Sequence, residues 1–571
     1  MNRRTLLTRL LVTTAFAIVF LAGRMTLASH SAAADAPLAD AVMNGNIEAV
    51  RTLLRQKVDV NAAQGDGTTA LHWAAYREDV EAARLLLAAG ANVKAKTRNG
   101  SITPLFMAAR NGNAAILDLL LKAGAEVNQP DVNGTTALMY AAIAGKPDAA
   151  TVLLDRGANP NAEDITNGQT AMMFAAASGR AAVIKVLASR GANPNIVTNV
   201  SEVIKFDERV RERDQQEKEK KAREDALKPA SDKPKEAEAA KVAEKEPTRP
   251  GRPVREKIFM GGMTALLFAA REGHLDAAKE LVDAGADVNL VSASDKISAL
   301  TSAIINGHLD LASFLLDRGA NPNLATDYGL APLYATLDAQ WAERTWYPAP
   351  TIDEEETGYL DLLKSLLTHG ANPNARLTKK PWYRTEHGDW VSPVGATPFW
   401  LAAKADDVPA MKLFIAAGAN PNIASAAGVT PLIVASGYGF EPQVSHYSPG
   451  TRVAALRYLI DEVGADVNAR ERNGYTALHG AALTGDLDAI RYLVAMGGNI
   501  KARAGQVFGG TGKEDQKVKE DTGDTVADMA NGPRPHNLQY PETVELLMKL
   551  GSKNSNNCRA STCVVKTAAP Y

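Results

Sequence analysis

Side chains able to do chemistry are few in this sequence, and their spacing argues against a catalytic or metal centre. His72 and His479 occupy the same slot in two copies of one short text, TALH, while His274 and His308 both sit in GHLD. No histidine pair has the close spacing that a metal site needs, so slots that recur in this way are read as local hydrogen-bonding positions. Gly509 to Lys513, GGTGK, approaches a phosphate-binding loop. That loop requires glycine where Val507 stands, and serine or threonine where Glu514 stands. His387 and Asp389 could be imagined as an acid/base pair, but a hydrolase needs converging groups that two residues in one loop do not supply. No catalytic residue, no cofactor and no metal site is assigned. Cys558 and Cys563 are too few for a thiolate zinc site; their spacing admits either a small disulfide in an oxidising compartment or two free thiols in a tail.

What the chain does concentrate is aromatic surface. Of its six tryptophans, Trp341, Trp346, Trp382, Trp390 and Trp400 lie close together in the sequence, with Tyr347 and Tyr383 beside them. Large aromatics in long loops carry much of the binding energy of many interfaces. Trp382, Tyr383, Trp390, Trp346 and Tyr347 are therefore the candidate partner-contacting residues. The competing reading is that these rings pack against their own scaffold, and Trp400 in particular falls inside a regular element, TPFW.

The elements that must position these loops are announced by repetition. RGANPN occurs at Arg156, Arg190 and Arg318, HGANPN at His369 and AGANPN at Ala417. The shared glycine falls at Gly90, Gly124, Gly157, Gly191, Gly285, Gly319, Gly370, Gly418, Gly464 and Gly497, and most neighbouring steps are 33 or 34 residues. A fixed period of that size means a stack of supersecondary units rather than separate globular domains. Upstream of the glycines lies a second shared text: TALHWAA at Thr69, TPLFMAA at Thr103, TALMYAA at Thr136, TPFWLAA at Thr397 and TALHGAA at Thr476. The threonine is placed to cap a first helix, and Pro104 and Pro398 take the first helical position, where a missing N–H costs nothing. Leu71, Ala74 and Ala75 share one side of that helix, and Leu85, Leu86 and Leu87 supply bulk to a second. Gly90 ends it in a left-handed conformation, and the following Asn/Pro text turns the chain towards the next unit.

These residues resemble the ankyrin repeat, whose family pattern runs G-x-T-P-L-H-x-A-A…V-x-x-L-L-x-x-G-A-D/N-x-N. The match extends from about Ala36 to Ser552, with about a dozen copies. The resemblance implies an all-α-dominated repeat solenoid, an ankyrin-like stack of about twelve helix-turn-helix units with β-hairpin fingers. It also implies a non-enzymatic scaffold that binds another protein through hairpin tips and the inner helical surface, and a carbohydrate-binding role for the aromatic loops is the alternative.

Departures from the period mark the boundaries. Residues 36–198 hold about five units and 261–552 about seven. Between them, 199–260 mixes both charges with alanine and proline and has little bulky apolar content, so it is expected to be a flexible excursion, and whether the stack runs across it is open. Further insertions fall at 341–358 and 440–451, between the two helices of a unit, at 378–393, within a hairpin, and at 504–520, as an exposed loop. Helix-to-helix and hairpin insertions are expected to leave opposite ends of a unit. Ala36–Ala63, which carries Lys57 where other units have glycine, and Asp521–Gly551 read as terminal caps, and 553–571 as a disordered tail.

The N-terminus carries three arginines by Arg9, an apolar run from Leu10 to Ala22 and small residues at Ala32 to Ala34. This is the layout of a signal peptide over 1–34, by the Sec route or, from Arg3-Arg4, the twin-arginine route, so a periplasmic or secreted protein of the cell envelope is expected. Membrane association would come only through an uncleaved signal, the run being shorter than a spanning helix. A formal charge of −2 offers no basic field for nucleic acid.

Overall fold

The computed structural model describes residues 36–203, 258–341, 352–381, 391–439, 451–505, 523–532 and 538–555. The chain divides after Glu126 into two compact units. Among the described residues the first unit holds three helix pairs: α1 (Pro37–Met43) with α2 (Ile47–Arg55), α3 (Ala70–Tyr76) with α4 (Val80–Ala88), and α5 (Pro104–Asn111) with α6 (Ala114–Lys122). The second begins with α7 (Ala137–Ala144) and α8 (Pro147–Asp155), then α9 (Ala171–Ala177) and α10 (Ala181–Ser189). A two-stranded antiparallel ladder follows, β1 (Ser201–Val203) with β2 (Ile258–Met260). Next come α11 (Ala265–Glu272) with α12 (Leu275–Asp283), α13 (Ala299–Ile305) with α14 (Leu309–Asp317), and α15 (Pro332–Gln340) with α16 (Tyr359–Thr368). The last pairs are α17 (Pro398–Lys404) with α18 (Val408–Ala416), α19 (Pro431–Ala435) with α20 (Arg452–Arg457), α21 (Ala477–Leu483) with α22 (Leu487–Ala495), and α23 (Val526–Ala530) with α24 (Pro541–Lys549). The all-α repeat solenoid expected from the period is therefore the observed fold class.

Each pair obeys the same local rules. Thr264, Thr397 and Thr430 accept a hydrogen bond from the backbone N–H three residues on, at 3.2 Å in each case. Gly90, Gly124 and Gly157 are left-handed, and beyond them the next amide bonds back into the last turn, as Ala91 N does to Leu86 O at 3.0 Å. Lys57 takes that glycine's place in the first pair and is also left-handed, at φ 58. In α3 the small Ala74 and Ala75 are fully buried beside Leu71, and in α4 Ala82, Ala83 and Leu86 are. Leu85 and Leu87, expected to share that bulk, are only half-buried. A helix face this narrow cannot make a core by itself, so alanine faces of successive pairs close on one another.

A ladder of asparagines joins consecutive repeats. The last asparagine of RGANPN donates Nδ2 to the repeat-ending glycine carbonyl of the next repeat and accepts, on Oδ1, the backbone N–H two residues beyond that glycine. Asn161 does this with Gly191 and Asn193 at 3.0 and 2.8 Å, and Asn323 with Gly370 and Asn372 at 2.8 Å each. The ladder crosses the long charged insertion: Asn195 reaches Gly285 O at 3.1 Å and Asp287 N at 2.8 Å, and His274 Nε2 donates to Ala177 O at 3.2 Å. The stack is thus continuous from α10 to α12, and the insertion leaves it through β1 and returns through β2. Its ends are paired strands, where a flexible excursion was expected to begin at 199 and end at 260; residues 204–257 lie outside the described residues.

One repeat breaks the pattern. Between the core residue and the terminal glycine most repeats have a spacing of four, as in Leu86 to Gly90, but Leu459 to Gly464 is five. The extra residue widens the end of the helix that α20 begins into a π turn, Tyr458–Glu462, with Ala465 N bonding Leu459 O at 2.9 Å. Asn422, the asparagine that faces this repeat, makes no rung to it.

Candidate partner-binding site

The turn between the two helices of a pair needs one left-handed residue and then a cap for the second helix. Gly273-His274, Gly307-His308 and Gly485-Asp486 fill these places, and glycine suits the first because positive φ costs it no Cβ clash. The α17–α18 turn uses Asp406-Asp407 instead, with Asp406 at φ 54. The two aspartates have different fates.

Asp407 is a fully satisfied anchor. Its Oδ1 accepts the Ala410 N–H at 3.0 Å and caps α18; its Oδ2 accepts Trp341 Nε1 at 3.0 Å and the Tyr359 hydroxyl at 3.1 Å. Trp341 precedes and Tyr359 follows the insertion of the preceding repeat, and their rings meet edge-on with centroids 5.8 Å apart. Asp407 therefore pins both feet of that insertion. Burial raises its carboxyl pKa, against the pull of those hydrogen bonds, and burial with the neighbouring Asp407 charge raises the Tyr359 phenol. The returning foot is held a second time, because Glu355 accepts the Asp310 N–H at 2.8 Å while Asp310 accepts Glu356 and Thr357 N–H at 3.1 and 2.8 Å at the start of α14.

Asp406 is unsatisfied. It is 5 % exposed, and its Oδ1 is buried without a hydrogen-bond partner. Burial pushes its carboxyl up to about 7, a shift that Arg452 opposes and Asp486 reinforces. Arg452, at the start of α20, donates Nη1 to Thr484 Oγ1 at 3.0 Å and to Asp486 Oδ2 at 3.2 Å, joining its repeat to the next. Asp406 lines a small, solvent-open recess with Lys404, Val434, Gly437, Tyr438 and Arg452, roomy enough for about one water.

Three insertions have their feet around these residues. Trp341 and Tyr359 are the first, Gly439 and Thr451 the second, and Val391 closes the third. A Cβ on Gly439 would lie 3.1 Å from Val391 Cγ2, so the hairpin insertion returns against the helix-to-helix insertion of the following repeat. These two feet lie side by side, although the two kinds of insertion were expected to leave opposite ends of a unit.

The proposed contact residues Trp346, Tyr347, Trp382, Tyr383 and Trp390 lie outside the described residues, as do His387, Asp389, the GGTGK loop, Cys558, Cys563 and the N-terminal 35 residues. Of the other tryptophans in the cluster, Trp341 is the anchor just described, and Trp400 is fully buried in α17, donating Nε1 to Val429 O at 2.9 Å. His72 is also structural: its Nδ1 accepts the Thr69 N–H at 3.2 Å, which leaves the proton on Nε2 for Ile102 O at 3.0 Å in the next repeat. Burial lowers its pKa and takes that of His479, in the same slot, down to about 3. Asp406, Asp407, Tyr359 and Arg452 were not singled out from the sequence. The available signal was Asp-Asp standing where most copies write glycine and a cap, a signal weakened by Glu78-Asp79, which fills the same places.

Among the described residues no helix is long and apolar enough to cross a membrane, and no group of three or more His, Cys, Asp or Glu is arranged to hold a metal. Comparison with known families matches "Ankyrin repeats (3 copies)" at 105–198, 247–326 and 399–504, and "Ankyrin repeats (many copies)" at 38–87 and 71–121. Among curated proteins, Alpha-latroinsectotoxin-Lt1a of Latrodectus tredecimguttatus is 31% identical over 107 residues, which is 19% of this chain and only 7% of the toxin. The family matches together span more than half of the sequence, and the chain belongs to the ankyrin repeat family.

Proposed function

We propose that this chain is a non-enzymatic scaffold that binds a protein partner, with the contact region on the α15–α20 repeats. Ankyrin repeats are in general protein–protein interaction scaffolds. The observation that carries the location is the convergence of three insertion feet, at Trp341, Val391 and Gly439, around the Asp406-Asp407 turn. Long loops rooted side by side on a rigid stack are a common way to build a recognition surface. The aromatic residues Trp346, Tyr347, Trp382, Tyr383 and Trp390 belong to two of these loops by sequence. The N-terminal signal-like text supports export, so the partner is sought in the cell envelope.

Affinity capture from an envelope fraction, using the chain from Asp35 and a variant with Thr378 to Pro393 shortened, tests this. One reproducible prey that the variant loses is the expected outcome. Identical capture by both forms removes the proposed location, and the absence of any reproducible prey removes the scaffold reading in that compartment.

A further inference from the structure

Asparagine followed by glycine exposes the asparagine side chain to attack by its own backbone, because glycine has no Cβ to keep its nitrogen away from the asparagine Cγ. This chain writes the pair eight times, at Asn44, Asn99, Asn111, Asn133, Asn167, Asn306, Asn473 and Asn531. The attack needs the glycine nitrogen to lose its proton and turn towards the side chain, so an N–H held in a hydrogen bond resists it. In six pairs the fold holds that N–H. Gly45, Gly112 and Gly307 donate to carbonyls in the last turn of a helix, those of Val42, Ala109 and Ile304, each at 3.0 Å. Gly134, Gly168 and Gly474 donate to the residue that opens their hairpin turn, at 3.2 Å to Asp131 O, 3.1 Å to Asp164 O and 2.9 Å to Glu471 O. In a seventh pair the asparagine itself is locked: Asn531 is 5 % exposed, and its Oδ1 accepts Gln539 Nε2 at 2.7 Å.

Asn99 escapes both controls. It is exposed, and neither its side-chain amide nor the Gly100 N–H makes a hydrogen bond among the described residues. The cause is the placing of one residue. The Asn133 turn closes Asp131 N on Thr135 O, four residues on, at 2.9 Å, whereas the Asn99 turn closes Thr97 N on Ile102 O, five residues on, at 2.9 Å. The Asn167 turn also spans five, Asp164 N to Gln169 O at 3.0 Å, but its extra residue precedes the Asn-Gly pair and leaves Gly168 within reach of Asp164 O. In the Asn99 turn the extra residue, Ser101, follows the pair; it is left-handed at φ 53, directly after Gly100 at φ 80. The chain is fixed just before the pair, by Arg98 N on Asp66 O and Thr97 Oγ1 on Asn99 O, each at 2.7 Å. No described hydrogen bond fixes the Gly100 nitrogen after it.

We propose that Asn99 is a site of spontaneous covalent modification, at which the Gly100 nitrogen displaces the side-chain amide as ammonia. A bond forms from that nitrogen to Asn99 Cγ, the Cγ–Nδ2 bond breaks, and the proton of the Gly100 amide leaves with the ammonia. The succinimide ring so formed takes up one water at either of its carbonyls and opens to aspartate or isoaspartate. Water is the sole co-reactant. Either product adds a negative charge to the turn, and the isoaspartyl form also adds a methylene to the main chain beside the Arg98 bond. Incubation of the full chain at pH 8 and 37 °C, then pepsin digestion in acid and mass spectrometry with electron-transfer fragmentation, reads the conversion at all eight positions. Asn99 is expected to convert at least about tenfold faster than the other seven, and to lose that lead in concentrated urea, where every glycine N–H is released. Deleting Ser101 returns the turn to four residues and should slow Asn99 to the rate of Asn133, with the helical circular dichroism unchanged. Conversion of Asn99 no faster than that of Asn133 in the folded chain overturns the proposal. A lead that keeps its full size in urea overturns it too, by assigning the reactivity to neighbouring sequence instead of the fold. Neither result touches the scaffold reading, on which this site does not depend.

Discussion

Replacing Asp406 with glycine should make this protein more stable, and more so at alkaline than at acidic pH. At φ 54 the aspartate carries about 1–2 kcal/mol of left-handed strain, which glycine relieves. Glycine returns about 1 kcal/mol of that by enlarging the freedom of the unfolded chain, so the backbone contribution nearly cancels. The carboxyl remains. Its pKa rises from 3.8 to about 7 on folding because burial penalises the ionised form. A carboxyl whose folded pKa is raised contributes fully below its unfolded pKa and loses that contribution as pH climbs through the folded value. The penalty is therefore near zero below pH 4, grows through the window from 4 to 7, and is complete above it, on the order of 2–4 kcal/mol. Urea unfolding of wild type and Asp406→Gly, followed by far-ultraviolet circular dichroism at pH 4 and pH 8, checks this. A gain of about 2–4 kcal/mol at pH 8 that shrinks to within about 1 kcal/mol at pH 4 is expected. Destabilisation at pH 8, or a gain independent of pH, would show that Asp406 is satisfied in the folded chain, and the reasoning about its burial would fall with it.

Other perturbations separate the remaining interactions. Asn323→Ala removes one rung, its bonds to Gly370 O and Asn372 N, and should cost about 1–2 kcal/mol in urea unfolding while amide exchange at Asn372 quickens. Asp407→Ala uncaps α18 and strands the Trp341 indole and the Tyr359 hydroxyl, so a loss of about 2–4 kcal/mol is expected, together with a fall of the Tyr359 pKa towards the ordinary phenol value in a spectrophotometric titration. Deleting Glu462, which is exposed, returns the Leu459-to-Gly464 spacing to four and should let Asn422 form its rung, raising stability by about 1 kcal/mol and slowing amide exchange at Asp466. A deletion that destabilises the chain and leaves that amide unprotected would mean the π turn is needed where it stands.

The repeat was legible because each unit solves local problems with local residues. Thr264 and Thr397 cap helices that begin at the next residue, and Gly90 ends one because no other residue type adopts its φ of 87 without strain. The ladder was half legible. Asparagine was expected to bond its own backbone, and Asn159 does accept the Asn161 N–H at 3.0 Å, but Asn161 itself reaches forward to Gly191 and Asn193. That second partner lies about one period on, and only the superposition of repeats brings it near. The same distance hid the site. Trp341 and Asp407 stand 66 residues apart and share a bond because α15 and α17 belong to adjacent pairs; nothing in either residue's neighbourhood announces the other.

A stack of near-identical repeats supplies its own control, because each unit shows what its neighbours could have been. The α17–α20 region departs from the common solution at two points: aspartate replaces glycine at 406, as glutamate does at 78, and a residue is added before Gly464, with the rung from Asn422 lost beside it. Each has an alternative written elsewhere in this chain, in Gly273, in the four-residue spacing of Leu153 to Gly157, and in Asn374 bonded to Gly418 at 3.2 Å. The added residue and the lost rung lie in the repeat whose two helices an insertion separates, which is where a departure from the common solution would serve the placing of a loop as well as stability.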